Sequence, residues 1–101
     1  MKNIVIIISL ASAFPAMAHD RTRTFDLDSD LVKWCKSEAE SRYIAKNITP
    51  SNWAANFYDR DSIIYVEGSL RAHGSNVNVK CRAAQGAREE YAVIEIADPT
   101  L

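Results

Sequence analysis

The sequence predicts an α+β domain in which one N-terminal helix packs on a four-stranded antiparallel meander sheet, strand order 1-2-3-4, stapled by one disulfide. Three observations predict it. Asn76 to Ala84 alternates strictly, with Val77, Val79, Cys81 and Ala83 on one side and Asn76, Asn78, Lys80 and Arg82 on the other, the period of a half-buried strand. Leu31, Val32, Cys35, Ala39 and Tyr43 recur at spacings of three and four, the apolar stripe of a helix. Cys35 and Cys81 are the only cysteines, one on each apolar surface, so a bond between them fastens helix to sheet.

Residues 1 to 18 read as an export signal. Lys2 is the positive start, Ile4 to Phe14 the short apolar run, and Ala16-Met17-Ala18 the small-x-small cleavage site. The run is about half the ~20 residues a membrane-spanning helix needs, and no cysteine at the cleavage point offers a lipid anchor. No membrane anchor is therefore expected once the signal is cleaved. Cleavage leaves 83 of the 101 residues, His19 to Leu101, as one small α+β domain with 11 basic and 13 acidic side chains, Lys2 having gone with the leader. That balance offers no broad basic footprint for nucleic acid or an anionic membrane. The expected location is periplasmic or secreted, where disulfides persist. A domain this short is marginal without help, and closing a loop between cysteines 46 positions apart contributes roughly 4 kcal/mol in the chain-entropy model.

The elements follow in order. Residues 19 to 28 lack periodicity and read as an extended arm whose end Phe25 and Leu27 pin. Ser29 suits the helix N-cap, with Asp30 in the first turn, and Asn47 is the residue able to turn left-handed at the helix end. Trp53, Ala55 and Phe57 alternate with Ala54, Asn56 and Tyr58 as a first strand, which the turn Asp59-Arg60-Asp61 ends. Ser62 to Ala72, Asn76 to Ala84 and Glu89 to Ile96 are the remaining strands, separated by His73-Gly74 and Gln85-Gly86-Ala87-Arg88, and residues 97 to 101 read as a frayed tail. A two-residue loop at His73-Gly74 pairs Arg71 with Asn76, Glu67 with Lys80 and Tyr65 with Arg82. The matching registers put Tyr58 opposite Ile63, Trp53 over Gly68, and Arg82 opposite Tyr91.

On the sheet face away from the helix these registers gather Tyr58, Ile63, Tyr65, Arg82, Tyr91 and Val93. Tyrosine and arginine anchor interfaces because they bring large area and polar tips at modest entropic cost. The expected function is that of a small exported bacterial binding protein without catalytic activity or cofactor, of inhibitor or immunity type, meeting an envelope protein or a glycan through this face. The ordinary alternative is that aromatic and β-branched residues simply favour strands, with Arg82 stacked on the rings.

Two other classes compete. One is a small hydrolase or metal-dependent protein using His73 or the run Asp26, Asp28 and Asp30. That run imitates the opening of a calcium loop, but Leu31 stands where such a loop needs glycine and Ser37 where it needs glutamate. The serines lie in no G-x-S-x-G elbow, and a newly exposed His19 has no partner set for copper. The other class is self-association through the edge of the last strand, Tyr91 to Ile96.

Overall fold

A computed structural model describes residues 23–101; the expected signal at 1–18 and the start of the arm lie outside the described residues. The chain runs helix α1 (Asp28–Ile44), then strands β1 (Ser51–Arg60), β2 (Ile63–Ala72), β3 (Ser75–Ala84) and β4 (Val93–Ile96). The strands form one antiparallel sheet in the order β1-β2-β3-β4. This is the predicted architecture.

The core is the meeting of the two apolar patterns. Leu31, Cys35, Ala39 and Tyr43 of α1 are buried against Ile64, Val66 and Leu70 of β2 and Val77, Val79, Cys81 and Ala83 of β3. Cys35 and Cys81 are bonded, with their Cα atoms 6.0 Å apart, so the mid-helix is tied to a central strand. Phe25 is also buried and meets Trp34 edge-on at 6.0 Å. The arm is held by backbone bonds as well, Phe25 N–H to the Ala87 carbonyl and Glu89 N–H to the Arg23 carbonyl. Leu27 does not share in the pinning and is 63% exposed.

Helix α1 is capped two residues ahead of the expected position: Leu27, not Ser29, is the N-cap. The reason is Asp30, whose carboxylate reaches back to accept the Leu27 N–H at 2.9 Å and satisfies a donor that the helix leaves free. At the other end Asn47 takes φ 62°, the left-handed geometry expected of it.

The β2–β3 register is the predicted one throughout, including Tyr65 with Arg82 and Glu67 with Lys80. Both outer registers differ by two residues. In the first hairpin Asp61 and Ser62 form the turn, both with positive φ, so Arg60 faces Ile63 and Tyr58 faces Tyr65 instead of Ile63. In the last, Glu89–Tyr91 coils into a 3-10 turn that shortens β4, and Arg82 faces Val93 instead of Tyr91. Trp53 still covers Gly68, though by another route. The β1–β2 register shifts between Ser51 and Ala54, where Asn52 takes φ 57°, and although Ala55 is the residue opposite Gly68, the indole of Trp53 lies over the glycine. A Cβ on Gly68 would sit 2.6 Å from the indole ring.

Two outcomes follow from this packing. Gly68→Ala forces the indole off the sheet and is expected to cost about 1–3 kcal/mol in chemical denaturation, with Trp53→Leu in the same chain recovering much of it. Cys35→Ser is expected to lower the melting temperature sharply in oxidising buffer, while a reductant able to open the buried bond brings wild type down to the same value.

Candidate functional site

The outer face of the sheet is the surface that α1 leaves open. Along each strand every second side chain points there, so antiparallel pairing aligns these side chains in rows across the sheet. One row is Tyr58, Tyr65, Arg82 and Val93, a single residue from each strand. The rings of Tyr58 and Tyr65 stack with centroids 5.0 Å apart and planes 15° from parallel. The Arg60 guanidinium lies 5.9 Å from the Tyr58 centroid. Sequence reasoning missed Arg60, yet its signal was local: it stands two residues from Tyr58 on the same strand face. The structure thus brings Tyr58, Tyr65, Arg82 and Val93 together and places Ile63 in the adjoining row opposite Arg60. It does not bring Tyr91 to that row; the 3-10 turn carries it out of the ladder, where it is 67% exposed.

The next row is Asn56, Glu67, Lys80 and Glu95, and the one beyond it Ala54, Ser69 and Asn78. Small side chains here leave a trough. A depression of about 230 Å³ between Tyr58, Tyr65, Arg82 and Glu95 adjoins a wider one of about 510 Å³ over Ala54, Asn56, Ser69 and Asn78, and Glu67 and Lys80 line both. The face carries Arg60, Arg71, Lys80 and Arg82 against only Glu67 and Glu95. Among the described residues none of these six side chains forms an ion pair within 4.0 Å.

His73 lies elsewhere, at the turn between β2 and β3, with φ 38°. Its Nε2 is 3.0 Å from Asp98 Oδ2, the oxygen that also accepts the Tyr43 hydroxyl at 2.7 Å. The other Asp98 oxygen accepts the Thr100 hydroxyl and backbone N–H, so the residues expected to fray are tied to the end of α1. The Thr100 hydroxyl, then Tyr43 and His73, hold the Asp98 carboxyl well below the usual carboxylate range. Burial first, and then the Asp98 hydrogen bond and charge, raise the Tyr43 phenol above its ordinary value. Every strong contact in this cluster goes to Asp98, which makes it a clasp between helix, turn and tail.

In the acidic run each carboxyl likewise has its own partner. Asp26 accepts the Thr24 hydroxyl, Asp30 accepts the Leu27 N–H, and Asp28 meets Asp59 from β1. Burial, with the Asp59 carboxyl at hydrogen-bond reach, raises Asp28 above its ordinary value. Among the described residues no three His, Cys, Asp or Glu side chains are grouped to hold a metal ion, and no helix is long and apolar enough to cross a membrane.

No protein-family model, curated protein or solved structure matches this chain.

The clasp predicts a stability profile. A carboxyl lowered on folding contributes stability that is complete above about pH 4, its unfolded range, and is lost as pH falls toward the folded value. A phenol raised on folding contributes stability that is complete below about pH 10 and is lost as pH rises past it. In melting curves Asp98→Asn is expected to lower stability at neutral pH and flatten the loss below pH 4. Tyr43→Phe is expected to flatten the loss above pH 10.

Proposed function

We propose that the chain is a small exported binding protein without catalytic activity, which meets an acidic protein surface of the bacterial envelope through the outer sheet face, in the manner of an inhibitor or immunity protein. The observation that carries this reading is the row Tyr58, Tyr65, Arg82 and Val93 laid across all four strands. Two stacked phenols and a cation beside them present large area on a rigid support, with little side-chain freedom left to lose on association. Charge supports the choice of partner. The face holds more cations than carboxylates although the chain is acidic overall, with formal net charge -1. An acidic surface opposite Arg60, Lys80 and Arg82 therefore complements this face, and would be repelled by the acidic end around Asp26, Asp28 and Asp59. The open trough also suits a broad, shallow contact better than a deep small-molecule pocket. The leader expected at residues 1–18 and the disulfide are consistent with export.

Affinity capture from the producer's envelope fraction, run with the wild-type protein and a folded Tyr65→Ala/Arg82→Ala variant, tests the reading. A protein retained by the first and released by the second, with retention weakening as salt rises, is the expected result. A glycan retained instead would replace the partner class. Equal retention by both proteins would remove this face from the contact.

A further inference from the structure

We propose that β1 is a pairing edge for a second copy of this chain, joining two sheets into one continuous eight-stranded sheet about a two-fold axis at Asn56. The two sheet edges differ. β4 runs only from Val93 to Ile96, so the edge that the sequence put forward for self-association is short. β1 is ten residues long, and among the described residues no strand lies along its outer side. Its backbone direction follows from the turn. In a two-residue hairpin the closing pair, here Arg60 and Ile63, exchanges both hydrogen bonds, and bonded positions recur at every second residue. Tyr58 and Asn56 therefore bond to β2, whereas Ala55, Phe57 and Asp59 aim their N–H and C=O groups outward. These are the unsatisfied groups of a template strand.

The devices that ordinarily blunt such an edge are sparse here. β1 contains no proline and no lysine, and its charges, Asp59 and Arg60, stand at one end. Phe57 is 50% exposed, and Leu27, on the rim of the same surface depression, is 63% exposed. The sequence at the edge is also complementary to itself. Antiparallel pairing centred on Asn56 sets Phe57 of one copy against Ala55 of the other, and Tyr58 against Ala54. Each ring meets a small residue at both symmetry-related places, and the outward groups of Ala55 and Phe57 bond to each other across the axis. The two Asp59 side chains fall at opposite ends, opposite the partner copy's Trp53, so their charges do not meet. An isologous contact of this kind closes at two copies and leaves no propagating surface of its own.

The test uses the protein recovered after export with its own leader. Sedimentation velocity across a concentration series, with hydrogen exchange at both extremes, is expected to show a monomer–dimer equilibrium. In the dimer the amides of Ala55, Phe57 and Asp59 become protected, while in the monomer they exchange freely. Ala55→Pro removes an outward donor without touching the ladder to β2, and Phe57→Lys places a charge on the edge. Each is expected to raise the dimer dissociation constant at least about tenfold, with a circular dichroism spectrum like that of wild type. A monomer at every concentration would overturn the proposal, as would a dimer that leaves those three amides unprotected or that persists unchanged in both variants.

Discussion

The bond between Cys35 and Cys81 is the constraint on which the other features depend. A sheet of four strands has two faces, and among the described residues one α-helix is available to cover either. The disulfide decides which face that is, and it fixes the helix at mid-length over a central strand. From that point Leu31 and Tyr43, one turn and two turns away, reach their places against the sheet. The cysteines are themselves buried in the core. Tertiary contact therefore supports a helix that has little claim to stability in isolation.

A single weld leaves a helix free to swing, and the two helix ends are held by different chemistry. At the start, Phe25 is buried and the arm pairs with the loop before β4, so apolar burial and backbone bonds act together. At the end the restraint is polar. Tyr43 buries its ring in the core and presents its hydroxyl to Asp98, which the turn at His73 and the residues around Thr100 also approach. A carboxylate with four donors around it tolerates loss of solvent far better than one without. The clasp thereby joins three segments that are distant in sequence without requiring a larger apolar core.

The parts of the fold that the sequence made legible are those governed by local pattern. The β2–β3 register followed from His73-Gly74, because glycine marks a turn of left-handed geometry unambiguously. The first hairpin turned at Asp61-Ser62, whose positive φ values carry no such signature, and the register moved by two. The last moved by two because Glu89–Tyr91 coiled, and nothing in the alternation of that stretch distinguishes a strand from a short turn followed by one. A shift of two residues preserves which face a side chain occupies. For that reason Tyr58, Tyr65, Arg82 and Val93 stayed together despite both errors, while Tyr91, lying within the coiled turn, was lost. The clasp was not legible at all: Asp98 is 25 residues from His73 and 55 from Tyr43, and no pattern in sequence links them.

The same geometry separates charge in a chain that has almost none in sum. Asp26, Asp28 and Asp30 gather at the start of α1, where the helix dipole favours negative groups, and Asp59 joins them from β1. Arg60, Arg71, Lys80 and Arg82 occupy outward positions in the ladders of β1, β2 and β3, and strand periodicity turns them all to one side. The result is a domain with an acidic end and a basic face, set nearly at random by composition but firmly by topology. Such a molecule has an orientation in the field of an approaching surface even though its net charge would predict little attraction. Arg60 and Arg82, neither of them in an ion pair among the described residues, stand beside the stacked tyrosines, so unpaired positive charge and rigid aromatic area fall on the same part of the face. That coincidence is the ground for proposing the outer row as a surface for recognition over ordinary strand packing.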